Sequence, residues 1–411
     1  IILKMLHNFK KISNYKGVSY FIAKEVLSGC HRHNFLAFNA SISFFTLFAL
    51  IPLILLIFFF LSQWLTSSSF ALSHLANLTS HLLPEMNERI MNEVYKVSSS
   101  KASWGVLWIM VLFLAATPLT ASLRNGFANI LSLPSKNTFF KNKIKDIFAV
   151  ITIMLLFFIY IFVDIFLLQA SSIFAEYIPI IKKIYFSSVT SLILLILVVT
   201  IFFNLYFPIK IKKKHLIIGA VLTSLSWYSL SYFFDFFINA SSFYGTFFGG
   251  MRGLFISLIW LYLNTASLLL GAELIAALHK KEILLLKQLF IIKHIHRYPV
   301  INDLMKLFGH KYKKNKVLFN EGDHDQRLFF VIEGEISITK KGKGLETINS
   351  GNYFGELSLL NKIPRVASAE VVSDWARIII ISETQMRKIL AEDHQVAIYF
   401  LSNMARKLQL N

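Results

Sequence analysis

Residues 353–370 read YFGELSLLNKIPRVASAE, and three of them are spaced to hold a small anion. Gly355 lets the backbone approach a ligand closely, and Glu356 offers a carboxylate acceptor. Nine residues after that glutamate, Arg365 offers a guanidinium fork that matches a phosphate. A carboxylate beside an arginine suits a sugar phosphate, the acid taking a hydroxyl and the arginine the charge. Pro364 fixes the chain just before the arginine. The competing arrangement is a site that has lost its ligand, with Glu356 and Arg365 paired only with each other.

These letters resemble the phosphate-binding cassette of the cyclic nucleotide-binding domain. That β-roll is shared by bacterial catabolite activators, protein kinase A regulatory subunits and nucleotide-gated channels. The resemblance implies that Glu356 accepts from the ribose 2′-hydroxyl and that Arg365 pairs with the cyclic phosphate. It also implies an anion nest of backbone amides around Gly355, Leu357, Ser358 and Val366. The ligand so implied is cAMP or cGMP in a regulatory role, without a metal. Guanine-selective members often place a hydroxyl directly after the arginine; Val366 has none, which leans towards cAMP.

A β-roll accounts for only the last quarter of the chain, and the rest has a different character. The 411 residues are 55% hydrophobic and only 16% charged, against about 25% charged in ordinary soluble domains. Six runs are long enough to cross a hydrocarbon core, which takes about 20 helical residues. They are 36–65, 104–131, 144–169, 184–207, 216–238 and 254–277, with Pro52 and Pro118 as expected kink sites. The formal charge of +19 sits mainly in short loops, which fits membrane topology better than nucleic acid. Lys136, Lys141, Lys143 and Lys145 follow the second run, Lys210 and Lys212 to Lys214 the fourth, and Lys280, Lys281 and Lys287 the sixth. Those ends are expected in the cytoplasm, together with both termini. The basic stretch before residue 36 carries no sign of a cleavable signal peptide. The lone cysteine, Cys30, rules out an internal disulfide.

The apolar part also resembles a known family. AFNASISFFTLFALIPLILLI from Ala37, WGVLWIMVLF from Trp104 and YGTFFGGMRGLFISLIWLYLNTASLLLGAELIAAL from Tyr244 are similar to the YihY/BrkB family of six-span inner-membrane proteins. The last of these, ending in LLLGAEL, is the most specific. The fold expected is therefore a polytopic α-helical membrane domain of about six transmembrane helices followed by a cytoplasmic cyclic-nucleotide-binding β-roll of α+β type. Its expected divisions are a cytoplasmic segment (1–34), the membrane domain (35–281), an amphipathic linker helix (282–300) and the sensor (301–411). The basic, leucine-rich stretch 281–298 would lie along the membrane or against the β-roll.

Ionisable residues inside spans are costly and invite a functional reading. Asp164, Asp235 and Arg252 fall towards the outer ends of their helices, and Arg124 and Glu273 towards the inner ends. They suggest an outer acidic–basic cluster and an inner Arg–Glu pair. These form either a polar pathway gated at two depths or, as the favoured reading, structural ion pairs and residues reaching the interface. Gly245, Gly249, Gly250 and Gly253 suggest a re-entrant helix or close packing. His31 with His33, and His294 with His296, lack a Cys or carboxylate at ligand spacing and read as solvated faces rather than a metal site. No nucleotide-triphosphate loop, nucleophile elbow or metalloprotease motif is present, and no soluble carboxylate pair, so no enzymatic activity is expected. The functional expectation is an inner-membrane protein, transporter-like or export-related, governed by a cyclic nucleotide sensor. A cyclic-nucleotide-gated channel and a non-transporting envelope scaffold are the alternatives. The bilayer and the nucleotide are the expected partners, with a homo-oligomer left open and nucleic acid excluded.

Overall fold

A computed structural model describes residues 18–64, 106–133, 139–177, 183–240, 252–291, 300–392 and 396–402, with the single positions 88 and 92. The chain divides into two compact units, one of Val26–His279 and one joining Ile1–Glu25 to Lys280–Asn411. The helix read as a linker therefore counts with the β-roll, and so do the described residues up to Glu25.

In the first unit the helices are the end of α1 (Val18–Arg32), α2 (Phe35–Trp64), α3 (Val106–Ile130), α4 (Phe139–Tyr177), α5 (Lys183–Tyr206), α6 (Lys213–Ala240) and α7 (Arg252–His279). Each of the six apolar runs expected from sequence thus coincides with a helix. Among the described residues, three stretches are long and apolar enough by themselves to cross a membrane: Phe35–Leu56, Val189–Tyr206 and Leu254–His279. Both α2 and α3 continue through Pro52 and Pro118. Each helix from α2 to α7 packs on the next in sequence, and α7 returns to α2, so the six close into a ring.

The interior of the ring is aromatic and aliphatic: Phe127 stacks on Phe207 at 5.0 Å, and Phe203, Ile42, Leu216 and Leu269 are buried around them. Some polar side chains inside it bond across to a neighbouring helix. Asn39 donates to Tyr262 O at 2.9 Å and accepts from Thr265 Oγ1 at 2.7 Å, which ties α2 to α7. Its outer face is apolar too. Phe44, Phe48 and Ile51 on α2, and Val189, Ile193 and Leu197 on α5, recur at helical spacing and are all exposed. A soluble protein would cover such stripes; a helix facing lipid need not.

Helices α6 and α7 meet backbone to backbone where two glycines face each other. A Cβ on Gly219 would lie 2.7 Å from Gly271 O, and one on Gly271 would lie 2.9 Å from Gly219 O and 3.3 Å from Phe203. Gly271→Val is therefore expected to destabilise this unit by about 1–3 kcal/mol through overpacking. The measurement is the thermal unfolding midpoint of detergent-solubilised protein. An unchanged midpoint would refute so close an approach.

The second unit contains α8 (Lys281–Ile291), α9 (Val300–Phe308) and an antiparallel roll of two four-stranded sheets. One sheet has the order β1-β8-β3-β6, from β1 (Gly309–Lys313), β8 (Trp375–Ile381), β3 (Leu328–Glu333) and β6 (Tyr353–Phe354). The other has the order β2-β7-β4-β5, from β2 (Val317–Phe319), β7 (Ser368–Val371), β4 (Ile336–Lys340) and β5 (Lys343–Ile348). Helix α10 (Glu356–Asn361) follows β6, and α11 (Glu383–Glu392) and a helical stretch 396–402 follow β8.

Strand β3 is an unbroken apolar run because both of its faces are covered. Phe329 and Val331 point into the roll beside Phe319, Phe354 and Ile378. Leu328, Phe330 and Ile332 point the other way, into a core shared with the helices. That second core contains Leu284, Leu285, Leu286, Leu289 and Phe290 of α8, Phe21 of α1, and Phe400 stacked on Tyr353 at 5.1 Å. Helix α8 thus lies against the β-roll, buried rather than amphipathic, and even Lys287 is buried, 3.6 Å from Glu25. Residues 292–299, with His294 and His296, lie outside the described residues, as does 403–411.

Candidate nucleotide site and intramembrane polar residues

The turn from β6 into α10 is made by Gly355 with φ 86° and ψ 11°, a left-handed conformation that a side chain disfavours. Six residues of helix follow, and Lys362, also left-handed, ends them. The chain then returns past Pro364 to Arg365, whose backbone is pinned to the preceding turn. Arg365 N donates to Asp323 O at 2.9 Å, and Gly322 N donates to Arg365 O at 2.8 Å.

This places the guanidinium under the glycine. Its Nη1 donates to Gly355 O at 3.0 Å, and its Nη2 donates to Arg327 O at 2.7 Å and lies 3.1 Å from Asp325 Oδ2. The plane sits over Phe319 at 4.0 Å from the ring centroid, a cation–π contact inside the roll. Arg365 is only 2% exposed, and its Nε is buried without a hydrogen-bond partner. Burial pulls the guanidinium below its ordinary pKa, against the opposing pull of Asp325. For Asp325 burial pushes the carboxyl up, but hydrogen bonds from Arg327 and Arg365 outweigh it and hold the acid below the usual carboxylate range.

Beside this arginine is a cavity of about 170 Å³. All six residues singled out in the cassette line it: Gly355, Glu356, Leu357, Ser358, Arg365 and Val366. Apolar Phe319, Ile338, Ile348 and Phe354 line the remainder together with Leu345, Glu346 and Ala367. The carboxylate that meets Arg365 is Asp325, not Glu356. Asp325 escaped sequence reasoning because it lies in the loop between β2 and β3, far from the cassette. The charged run DHDQR at 323–327 was its one visible signal.

Among the membrane-unit candidates the inner pair proves to be two pairs. Arg124 on α3 meets Asp146 on α4 in a bidentate contact, Nε to Oδ1 at 2.9 Å and Nη2 to Oδ2 at 3.2 Å. Glu273 on α7 instead meets His33 Nδ1 at 2.7 Å, in the turn between α1 and α2. Depth along a helix had suggested that Arg124 and Glu273 pair with each other, but azimuth decides, since each faces a different neighbour in the ring. His33, expected on a solvated face, is largely enclosed, while His31 is exposed. The Cys30 thiol is pushed up to about 12 by burial and by the charge of Glu273, so it is held as an unreactive thiol. Asp164, Asp235 and Arg252 occupy α4, α6 and the start of α7, with side chains outside the described residues. Residues 241–251, with Gly245, Gly249 and Gly250, lie outside them too.

A ring of apolar-faced helices in one unit and, in the other, an antiparallel roll carrying a glycine–arginine anion cassette define a membrane-family protein fused to a cyclic nucleotide-binding domain. The family model for virulence factor BrkB matches residues 26–287, and that for the cyclic nucleotide-binding domain matches residues 309–393. The chain belongs to the BrkB family.

It is similar to the putative ribonuclease-like protein YfkH of Bacillus subtilis, 30% identical over 73 residues, 18% of this chain and 26% of that one. It is also similar to the cAMP-dependent protein kinase regulatory subunit of Debaryomyces hansenii, 37% identical over 62 residues, 15% of this chain and 14% of that one. Among solved structures, the catabolite activator protein of Thermus thermophilus is 27% identical, with TM-score 0.24, over 26% of this chain and 54% of that one. The chain thus spans about a quarter or less of the length of these two curated relatives.

Proposed function

We propose that this is an inner-membrane protein of six spans whose BrkB-family domain moves, or helps to move, a solute under the control of a cytoplasmic cyclic nucleotide sensor. The observation that carries the regulatory half is the cavity that gathers the whole cassette beside a buried arginine. The residues fit an anionic nucleotide. Arg365 brings a positive charge and an unpartnered Nε, Gly355 keeps the backbone free of a Cβ, and the apolar wall suits a purine. Glu356 would take the ribose hydroxyl and Arg365 the phosphate.

The transport half rests on the closed ring, the lipid-compatible exterior and polar residues such as Asn39 and Glu273 held inside it. Nucleotide binding would shift the population of membrane-domain states to the extent that the nucleotide binds one of them more tightly. This reading includes no ribonuclease step, which would need metal-binding carboxylates or an acid–base pair within reach of RNA.

Full-length protein in liposomes tests this reading. Solute or ion flux that responds to cyclic nucleotide is expected, with single-channel currents marking a channel instead. Absence of flux would leave the scaffold alternative. Tags at Lys141 and at Asn411 are expected to report the cytoplasm and one at Asn87 the exterior, and an exterior Asn411 would overturn the sensor's placement.

A further inference from the structure

The cassette letters describe the end of the cavity that would receive phosphate and ribose; another wall comes from β4 and β5, one and two strands from β7 in the sheet β2-β7-β4-β5. In that sheet Glu346 of β5 is directly opposite Ile338 of β4, which is in turn opposite Ala369 of β7. Residues directly opposite one another share a face. The same face carries Ile336 opposite Ile348, both buried in the interior of the roll. Glu346 therefore shares that face on an edge strand, where its side chain is solvent-exposed, and it lines the cavity together with Ile338 and Leu345. Strands are spaced by about 4.8 Å, which sets β5 roughly 10 Å across the sheet from β7 and the chain leading back to Arg365. Arg365 and Glu346 line the same cavity, so a nucleotide with its phosphate at Arg365 has β5 within reach of its base.

We infer that Glu346 reads the base and makes the site selective for a cyclic guanine nucleotide. This rests on the cyclic nucleotide reading of the cavity. Guanine presents two adjacent donors on its pairing edge, the ring N1–H and the 2-amino group, and one carboxylate can accept from both in a charge-assisted, bidentate contact. Adenine presents a bare ring nitrogen at the first of those positions, so the carboxylate would face a lone pair. The other lining residues of β4 and β5, Ile338, Leu345 and Ile348, have no polar side-chain atom with which to discriminate. Val366 offers no hydroxyl to a guanine, so selection by the cassette itself is absent and Glu346 supplies it from another strand.

The test is competition of cGMP and cAMP for full-length protein, as the unmodified chain and with Glu346→Gln and Glu346→Ala. The unmodified chain is expected to prefer cGMP by about 10- to 100-fold, the range of one good bidentate base contact. Both substitutions are expected to weaken cGMP and leave cAMP within about twofold, collapsing the preference. Equal affinities in the unmodified chain, a preference for cAMP, or a cGMP preference that survives both substitutions would each overturn the role of Glu346 and leave the nucleotide site standing. Failure of both nucleotides to bind the unmodified chain would overturn the site, and this inference with it.

Discussion

Arg365→Ala is expected to lower cyclic nucleotide affinity by about 30- to 1000-fold, equivalent to about 2–4 kcal/mol of a bidentate, charge-assisted contact in a partly desolvated cavity. The substitution also frees Gly355 O and Arg327 O and takes the cation away from Asp325. Some of the loss would therefore come from a loosened cassette. Arg365→Lys separates the two contributions: it keeps a positive charge but not the planar fork, and is expected to recover only a small part of the affinity. Glu356→Ala, which removes one hydroxyl contact, is expected to cost less than either. Calorimetry checks this on the whole chain in detergent. Phe21 and the leucines of α8 are part of the core beside the β-roll, so a fragment starting at residue 299 would lack them. Unchanged binding in Arg365→Ala would refute the assigned site.

What could be read from sequence is what local chemistry determines. Gly355 and Arg365 are ten positions apart and joined by one short helix, so their closeness beside one cavity was legible from sequence. The six apolar runs were legible as helices for the same reason, and three stretches among the described residues are long and apolar enough to cross a membrane. Partners brought together by the tertiary fold were not legible. Asp325 reaches Arg365 only because β3 pairs with β6 and β8 and so carries the loop before it to the cassette. Arg124 and Glu273 could be placed by depth but not by azimuth, and azimuth gave them Asp146 and His33. Helix α8 looked amphipathic because its lysines are conspicuous, yet Ile283, Leu284, Leu285, Leu286, Leu289 and Phe290 fall on several sides and meet the roll and its helices. Glu346 was invisible as a candidate because nothing in the letters KGLETI marks which face of an edge strand looks inward; the pairing with Ile338 does.

The glycine of the cassette provides a second large effect, with a control built into the same roll. Gly355 adopts φ +86°, and a Cβ there would stand 2.5 Å from Arg365 Nη1 and 3.1 Å from Arg327 O. Gly351 has almost the same φ, +88°, but a Cβ there would meet nothing within 4 Å. Alanine at either position bears the cost of a left-handed conformation, about 1–2 kcal/mol. Only at Gly355 would it also push the guanidinium out of place. Gly355→Ala is therefore expected to reduce nucleotide affinity by more than about tenfold, and Gly355→Val to abolish it, since a branched side chain is excluded from that backbone region. Gly351→Ala is expected to lower the melting point of the β-roll unit as Gly355→Ala does, while leaving affinity within about twofold. Equal losses of affinity at the two glycines would mean that backbone strain alone acts on the site. Full affinity in Gly355→Ala would mean that the arginine need not lie where the glycine lets it lie.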